Sequence, residues 1–316
     1  MMLYSIPMLA ISLLLIAILS ERVVRYVLVL SKVFGLSEMA AGFILLSLTT
    51  SLPELSVSTV ASAIGEGGLS VGNVLGSNIA NLTVIIGLAI FFSKKEVLTK
   101  GESQKELVQF LFLSSIIPLF IVQRGSLGPV LGIVLLILFI YFSVTISHKA
   151  GKTEPIEPVH KRDTTIVSLK FLVCVGLIIA LSKFLVDSSV DIAEFIGLPP
   201  SIIGATIIGL GTSLPELATT IQALKKNLFG MALGNLFGSC ITNITLILGV
   251  SSLISFSPVN ILAVESIMFY VLLSTLSVWY MIGASERISK KGALLLCIIY
   301  ILFILQQVGV SVFIFG

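Results

Sequence analysis

The sequence predicts an all-α membrane protein of about ten transmembrane helices, arranged as two inverted-topology repeats of five. Three observations carry this expectation. Only 11% of the 316 residues are charged and 56% are apolar, whereas soluble domains carry about 25% charged residues. Apolar runs long enough to cross a bilayer recur along the whole chain. A shift of 162 residues lays 42–88 on 204–250 without a gap, with roughly 19 of 47 positions identical.

The runs fall at 3–31, 38–64, 70–92, 106–122, 127–147, 165–193, 200–224, 230–256, 260–282 and 292–314. Each approaches or exceeds the ~20 residues that span the hydrocarbon core. The first and sixth are over-long and hold internal charges, so they are expected to tilt. In the first, Glu21, Arg22 and Arg25 read as a helix end snorkelling toward the interface. In the sixth, Lys183 and Asp187 are four residues apart and expected to pair. No cleavable signal peptide is expected, because the opening segment lacks a basic leader and runs directly into a span. Cys174, Cys240 and Cys297 lie within spans, match no metal spacing and read as small packing residues.

Basic residues set the orientation. With the N-terminus outside, inward-facing loops and helix ends collect Arg22, Arg25, Lys32, Lys94, Lys95, Lys100, Lys105, Lys149, Lys152, Lys161, Arg162, Lys225, Lys226, Arg287, Lys290 and Lys291. The opposite loops hold only Arg124. Both termini are therefore expected outside and 148–164 in the cytoplasm of a cell-membrane protein. The formal net charge of +3 reflects these loops. No basic run is interleaved with aromatics, which argues against nucleic acid as a partner. The lipid bilayer is the expected surrounding, and no obligatory protein partner is evident.

The duplication divides the chain into a first repeat at 1–147, a polar connector at 148–164 that also holds His148 and His160, and a second repeat at 165–316. The matches concentrate on unusual residues. Thr50, Ser51, Pro53 and Glu54 fall on Thr212, Ser213, Pro215 and Glu216. Gly72, Asn73, Gly76, Ser77 and Asn81 fall on Gly234, Asn235, Gly238, Ser239 and Asn243, and Phe34-Gly35-Leu36 falls on Ile196-Gly197-Leu198. With an odd number of spans per repeat, the second copy enters the membrane from the opposite side. Such inversion is typical of secondary transporters, whose substrate site lies near the midplane where the repeats meet. It favours alternating access over a passive pore.

The repeated stretches TTSLPEL and GTSLPEL set a proline beside a glutamate at membrane depth. Within a helix, Pro53 would leave the Thr49 carbonyl without its donor, and Pro215 that of Gly211. Irregular backbone survives in a membrane only where it lines a cavity or is buried in protein. Ser77 and Asn81, like Ser239 and Asn243, are spaced to share a helix face. The small pairs Gly72/Gly76 and Gly234/Gly238 let another helix approach, bringing that face against the Pro–Glu break. Together these residues offer two carboxylates, two amides and six hydroxyls, without His, Cys or Met. Ca2+ takes about 6–8 such oxygens, whereas Mg2+ resists dehydration and Zn2+ or Cu2+ favour nitrogen or sulfur. Na+ accepts the same oxygens. A single membrane glutamate can serve only to bond a neighbouring helix, but two in duplicate contexts point to a site. Ser and Thr also bond their own helix backbone, so a packing role stands beside the ligand role for each hydroxyl.

At these residues the chain resembles the sodium/calcium exchangers of the cation/calcium antiporter superfamily. Their two repeats carry G-T-S-L-P-E followed by G-N-x-x-G-S-x-x-x-N/D. Here the second reads GTSLPEL and GNLFGSCITN, the first TTSLPEL and GNVLGSNIAN. The resemblance implies a ten-helix antiporter that trades Na+ for Ca2+, with no cofactor and no enzymatic activity. It implies that Glu54 and Glu216 are shared ligands for both ions and that Thr50 and Thr212 offer carbonyls to Ca2+. It further implies that Ser51, Ser77, Ser213 and Ser239 complete flanking Na+ sites, with Asn81 and Asn243 central. The carbonyls of Ser47 and Gly209 would join the outer Na+ positions, and the long first and sixth helices would slide to switch access. Two departures stand out. Thr49 replaces the usual glycine, and Asn243 stands where potassium-dependent members carry Asp. Loss of that carboxylate argues against K+ cotransport and leaves the Na+-loaded cage net positive, so exchange is expected to be electrogenic.

Three other functions fit the sequence less well. H+/Ca2+ exchange on the same scaffold is the nearest, but protons need no hydroxyl cage. A passive cation channel fits poorly with inverted repeats and two acidic side chains in place of a multi-subunit ring. An intramembrane hydrolase fits poorly, because no span carries a histidine.

Overall fold

The computed structural model describes residues 2–31, 43, 46–92, 97–98, 102–149, 161–225, 227–254, 256–285 and 287–309. Outside them lie Lys32, Phe34–Leu36, Lys94, Lys95, Lys100, Lys152, His160 and Lys226.

Helix α1 (Met2–Ser31) is followed by the four-residue α2 (Ser47–Thr50) and by α3 (Leu52–Ala63). Next, α4 (Gly67–Ala80) passes through a π turn at Asn81–Ile85 into α5 (Ile86–Phe92). Then come α6 (Glu102–Ile116), α7 (Leu119–Arg124), α8 (Pro129–Lys149) and the long α9 (Lys161–Ile196). The motif's second occurrence starts with α10 (Pro200–Ile203), a π turn at Gly204–Ile208, α11 (Gly209–Thr212) and α12 (Leu214–Lys225). Helix α13 (Phe229–Thr242) passes through a π turn at Asn243–Ile247 into α14 (Leu248–Ile254), and α15 (Ile261–Ser285) and α16 (Lys290–Gln307) follow. A small antiparallel pair, β1 (Val97–Leu98) with β2 (Arg287–Ile288), ties together two distant connections.

Among the described residues, eight helical segments are long and apolar enough to cross a membrane. Two of the expected runs are not among them. Most of 38–46 lies outside the described residues, and 106–122 is interrupted before Pro118, which separates α6 from the six-residue α7. Proline cannot supply the ladder N–H. Helices α8 and α9 reach Lys149 and Lys161, so helical structure enters both ends of the expected connector.

Burial sorts the helices. The Gly67–Phe91 segment is 83% buried and Phe229–Ile254 is 78% buried, whereas Thr165–Ile196 is 17% and Pro129–Ile146 22% buried. The two motif helices are thus the centre, and α8 and α9 turn Ile133, Ile137, Ile140, Leu169, Leu172 and Val173 outward, a surface suited to lipid. One large apolar cluster joins α4–α5 and α13–α14 to α6, α15 and α16. A second joins α1, α3 and α9. On the outer face of α9, Lys183 Nζ pairs with Asp187 Oδ2 at 2.9 Å, as expected. Arg25 Nε reaches the Glu21 carbonyl at 3.4 Å. Cys174, Cys240 and Cys297 are free thiols.

Three π turns share one chemical feature. Thr83 donates to the Ile79 carbonyl, Thr206 to Ile202 at 2.7 Å and Thr245 to Ile241 at 2.6 Å. Each hydroxyl engages the carbonyl four residues earlier, in competition with the α-ladder. The π spacing, found in well under 1% of residues, often marks functional segments. Local turns are matched too. The chain adopts left-handed backbone at Gly65 (φ 89°) and, 162 residues later, at Asn227 (φ 60°), the two residue types that best tolerate it.

Close approach joins the two motif regions. A Cβ on Gly72 or Gly76 would overlap the backbone of Ser201 or Ala205, and one on Gly209 would stand 2.8 Å from Ser77 N. Helix α4 therefore lies directly against α10 and α11. Without a hydrophobic drive between helices in lipid, such contact is what holds them together. Gly76→Val is expected to destabilise the detergent-purified protein by about 1–3 kcal/mol or abolish folding. Gly176→Ala, with nothing within 4 Å of its Cβ, should not lower stability. Heating followed by size-exclusion chromatography reads both.

Candidate functional site

Each Pro–Glu motif forms a break between two short helices. Helix α2 stops at Thr50, Ser51 turns the chain (φ −82°, ψ 7°), and α3 starts afresh with Pro53 in its first turn. Ser213 repeats the turn (φ −83°, ψ 5°) between α11 and α12, with Glu216 in the first turn of α12. The prolines thus begin helices, where no N–H is needed, instead of interrupting one. The Thr49 and Gly211 carbonyls, expected to be free, accept capping backbone N–H groups. This corrects the simple reading of a proline inside a continuous helix. The breaks do place both glutamates at helix N-termini, where the dipole favours negative charge.

Glu54 and Glu216 are fully buried, and hydroxyls from the opposite break reach them. Ser213 Oγ donates to Glu54 Oε1 at 3.1 Å, and Ser51 Oγ donates to Glu216 Oε1 at 3.3 Å. Ser239 Oγ adds a second donor to Glu216 Oε1 at 3.3 Å. Thr50 Oγ1 lies 3.3 Å from Ser239 Oγ, and Thr212 Oγ1 lies 3.4 Å from Ser77 Oγ. Ser77 Oγ also donates to the Gly209 carbonyl at 3.1 Å, which Ser213 Oγ approaches at 2.8 Å. The structure therefore brings Glu54, Ser213, Gly209, Ser77 and Thr212 into one hydrogen-bonded set and Glu216, Ser51, Ser239 and Thr50 into a second, each spanning both breaks. Ser47 stands at the edge of the second. Its hydroxyl donates to the Phe43 carbonyl, and its own carbonyl accepts Ser51 N at 3.0 Å and Thr50 Oγ1 at 3.4 Å. Asn81 and Asn243 lie one turn beyond Ser77 and Ser239, fully buried, outside these sets of bonds.

Several polar atoms in and beside the cluster are unpaired. Glu54 Oε2 and Glu216 Oε2 are buried with no partner, as are both amide atoms of Asn81 and Asn243 Oδ1. Among the described residues, no basic side chain pairs with either carboxylate. Burying ionised groups without compensation costs several kcal/mol each, so the pair is relieved either by bound cations or by protonation. Two carboxylates, amide oxygens and hydroxyls fit a hard cation.

Sequence reasoning had not assigned a role to Asn73 and Asn235, although their repeated Gly-Asn dipeptide was visible. Asn73 Nδ2 reaches the Glu54 carbonyl at 3.3 Å and Ser58 Oγ at 2.9 Å, while its Oδ1 accepts from Thr212 Oγ1 at 3.3 Å. Asn235 Nδ2 reaches Thr219 Oγ1 at 3.1 Å and its Oδ1 accepts from Thr50 Oγ1 at 3.2 Å. Each asparagine thus braces one break against the other.

A mostly helical membrane protein with a buried, oxygen-rich cluster belongs by class with the cation transporters. The comparisons narrow the class. Residues 4–147 and 167–309 match the family described as sodium/calcium exchanger protein. An uncharacterized membrane protein of Methanocaldococcus jannaschii is 33% identical over 293 residues, 90% of this chain and 89% of its own. The sodium/calcium exchanger MaX1 of Methanosarcina acetivorans is 29% identical over 289 residues, 77% of this chain and 80% of its own. A solved structure of the sodium-calcium exchanger NCX_Mj soaked with 100 mM Na+ and 10 mM Sr2+ aligns with a TM-score of 0.68 at 26% identity, over 96% of this chain and 98% of that one. The chain belongs to the sodium/calcium exchanger family, a family of membrane antiporters.

Removing a brace tests the construction of the site. Asn73→Ala removes the partner of the buried Ser58 hydroxyl and the tie to Thr212, a loss of about 1–3 kcal/mol, and should lower the unfolding temperature clearly. Thr145→Ala, which removes only a bond to its own helix at Tyr141, should change it little.

Proposed function

We propose that this chain exchanges Na+ for Ca2+ across the membrane by alternating access, with Glu54 and Glu216 as ligands common to both ions. The observation that carries this reading is the pair of buried carboxylates, each with one oxygen bonded to the opposite break and one oxygen unpaired. Cations of either kind neutralise that pair. Ca2+ does so alone, drawing further oxygens from Thr50 and Thr212. Na+ ions do so together, at flanking positions built from Ser51, Ser77, the Ser47 carbonyl, Ser213, Ser239 and the Gly209 carbonyl, with Asn81 and Asn243 between them. Competition for the same two carboxylates couples the ions, because the cage cannot satisfy both sets at once.

The proposed scaffold is ten helices in two inverted repeats, 1–147 and 165–316, with termini outside and 148–164 in the cytoplasm. The matched breaks at Ser51 and Ser213 and the matched π turns at Asn81–Ile85 and Asn243–Ile247 support it. Two near-equivalent halves give two near-equivalent packings, each open to one side. Asn243 contributes no charge, which supports exchange independent of K+. A cycle trading about three Na+ for each Ca2+ moves one net positive charge, worth about 2.3 kcal/mol per 100 mV.

In liposomes loaded with Na+, an outward Na+ gradient at fixed pH should drive Ca2+ uptake, and Glu54→Gln or Glu216→Gln should each reduce it to background. Uptake driven only by a pH step would overturn Na+ as the counter-ion. Normal uptake in either variant would overturn the ligand assignment. An inside-positive potential should accelerate Ca2+ uptake, whereas flux indifferent to potential would contradict electrogenic exchange.

A further inference from the structure

The two central asparagines occupy matched positions in the sequence, yet their surroundings differ. Asn78 Nδ2 donates to the backbone carbonyl of Cys240 at 3.0 Å, and Asn243 Nδ2 donates to Asn78 Oδ1 at 3.0 Å. A backbone carbonyl can only accept. That single fact orients the whole relay. Asn78 must turn its NH2 toward Cys240 and so its oxygen toward Asn243. Asn243 must then turn its own NH2 toward Asn78, which leaves Oδ1 facing away from the relay. That oxygen is buried and has no partner.

Asn81 has no such clamp. The residue matching Asn78 in the second motif is Cys240, whose thiol is at best a weak donor and acceptor. Both amide atoms of Asn81 are buried without a hydrogen-bond partner. Asn81 faces the Cys240 thiol, a weak group that can both donate and accept, so that contact does not fix which amide atom is presented, whereas the amide of Asn243 is held with oxygen outward.

We propose that Asn78 is a positioning residue for cation binding: anchored on the Cys240 carbonyl, it locks the Asn243 amide so that only its oxygen is offered to the ions. This rests on the reading above in which Asn243 is a cation ligand. A locked carbonyl dipole presents its negative end at no reorganisation cost, while an unlocked amide must first turn and can also present its repelling NH2 group. The two central positions are thus unequal, one fixed and one adaptable, despite identical side chains.

The test uses the full-length protein in liposomes, reading the half-saturating Na+ and Ca2+ concentrations and the maximal rate separately. Asn78→Cys recreates the environment of Asn81 and should raise half-saturation by about three- to tenfold, the worth of one hydrogen-bond-scale interaction, with the maximal rate largely kept. Cys240→Asn installs the missing clamp on Asn81 and should lower half-saturation. If Asn78→Cys does not fold, Cys240→Asn decides, and unchanged or weaker ion affinity in it overturns the proposal. Asn243→Ala separates the two readings. If it leaves both half-saturations unchanged, Asn243 is not a ligand and the underlying reading fails. If it weakens binding while a folded Asn78→Cys protein binds normally, the positioning role alone fails.

Discussion

Two fully buried carboxylates that no described basic side chain neutralises are the constraint around which this molecule is organised. Nothing in a hydrocarbon-like interior compensates a lone carboxylate, and the fold gathers every available partial charge around the pair. The helix breaks aim two N-termini at them. Ser51 and Ser213 cross over so that each carboxylate is held by the other motif's turn. The arrangement satisfies one oxygen of each glutamate and leaves the other buried and unpaired, which is where we propose that an ion binds.

This coupling requires the two breaks to lie within hydrogen-bond reach of each other, which explains the packing. Helix α4 can touch α10 and α11 only because glycine stands at 72, 76 and 209. Asn73 and Asn235 then span the contact, each holding a hydroxyl of the facing break. The π turns begin at Asn81 and Asn243, one turn beyond Ser77 and Ser239. A widened turn there adds one residue to the ladder and resets which face the rest of the helix presents to its neighbours. The outward faces of α8 and α9 are apolar and suited to lipid, whereas Gly132 of α8 must stay small against Gly249.

The site was legible in sequence because its residues are expensive in lipid. A proline beside a glutamate in an apolar run has no cheap explanation, and its recurrence 162 residues later removed the accidental one. The cross-bonding of Ser51 and Ser213 followed from neither motif alone, since it depends on which face each break turns to the other. The position of the prolines was misread for a similar reason: residue order shows that a ladder bond is lost, but not that the chain reseals the loss with a tight turn at Ser51 or Ser213. The π turns left a faint trace in Thr83, Thr206 and Thr245, which is indistinguishable from ordinary threonine packing before the backbone is seen. Pro118 was visible, yet the run 106–122 was read through it because hydropathy averages over a single break. The bonds of Asn78 were hidden altogether, because its anchor is a backbone carbonyl, which every residue possesses.

The most direct measurement is equilibrium binding of Ca2+ to the purified protein in detergent, titrated against Na+ with no membrane or gradient present. Saturable Ca2+ binding that Na+ displaces steeply and cooperatively, and that vanishes when Glu54 and Glu216 are both replaced by glutamine, is the expected result. Ca2+ binding that ignores Na+, or that survives loss of both carboxylates, would show that the buried acidic pair is not where the two ions meet.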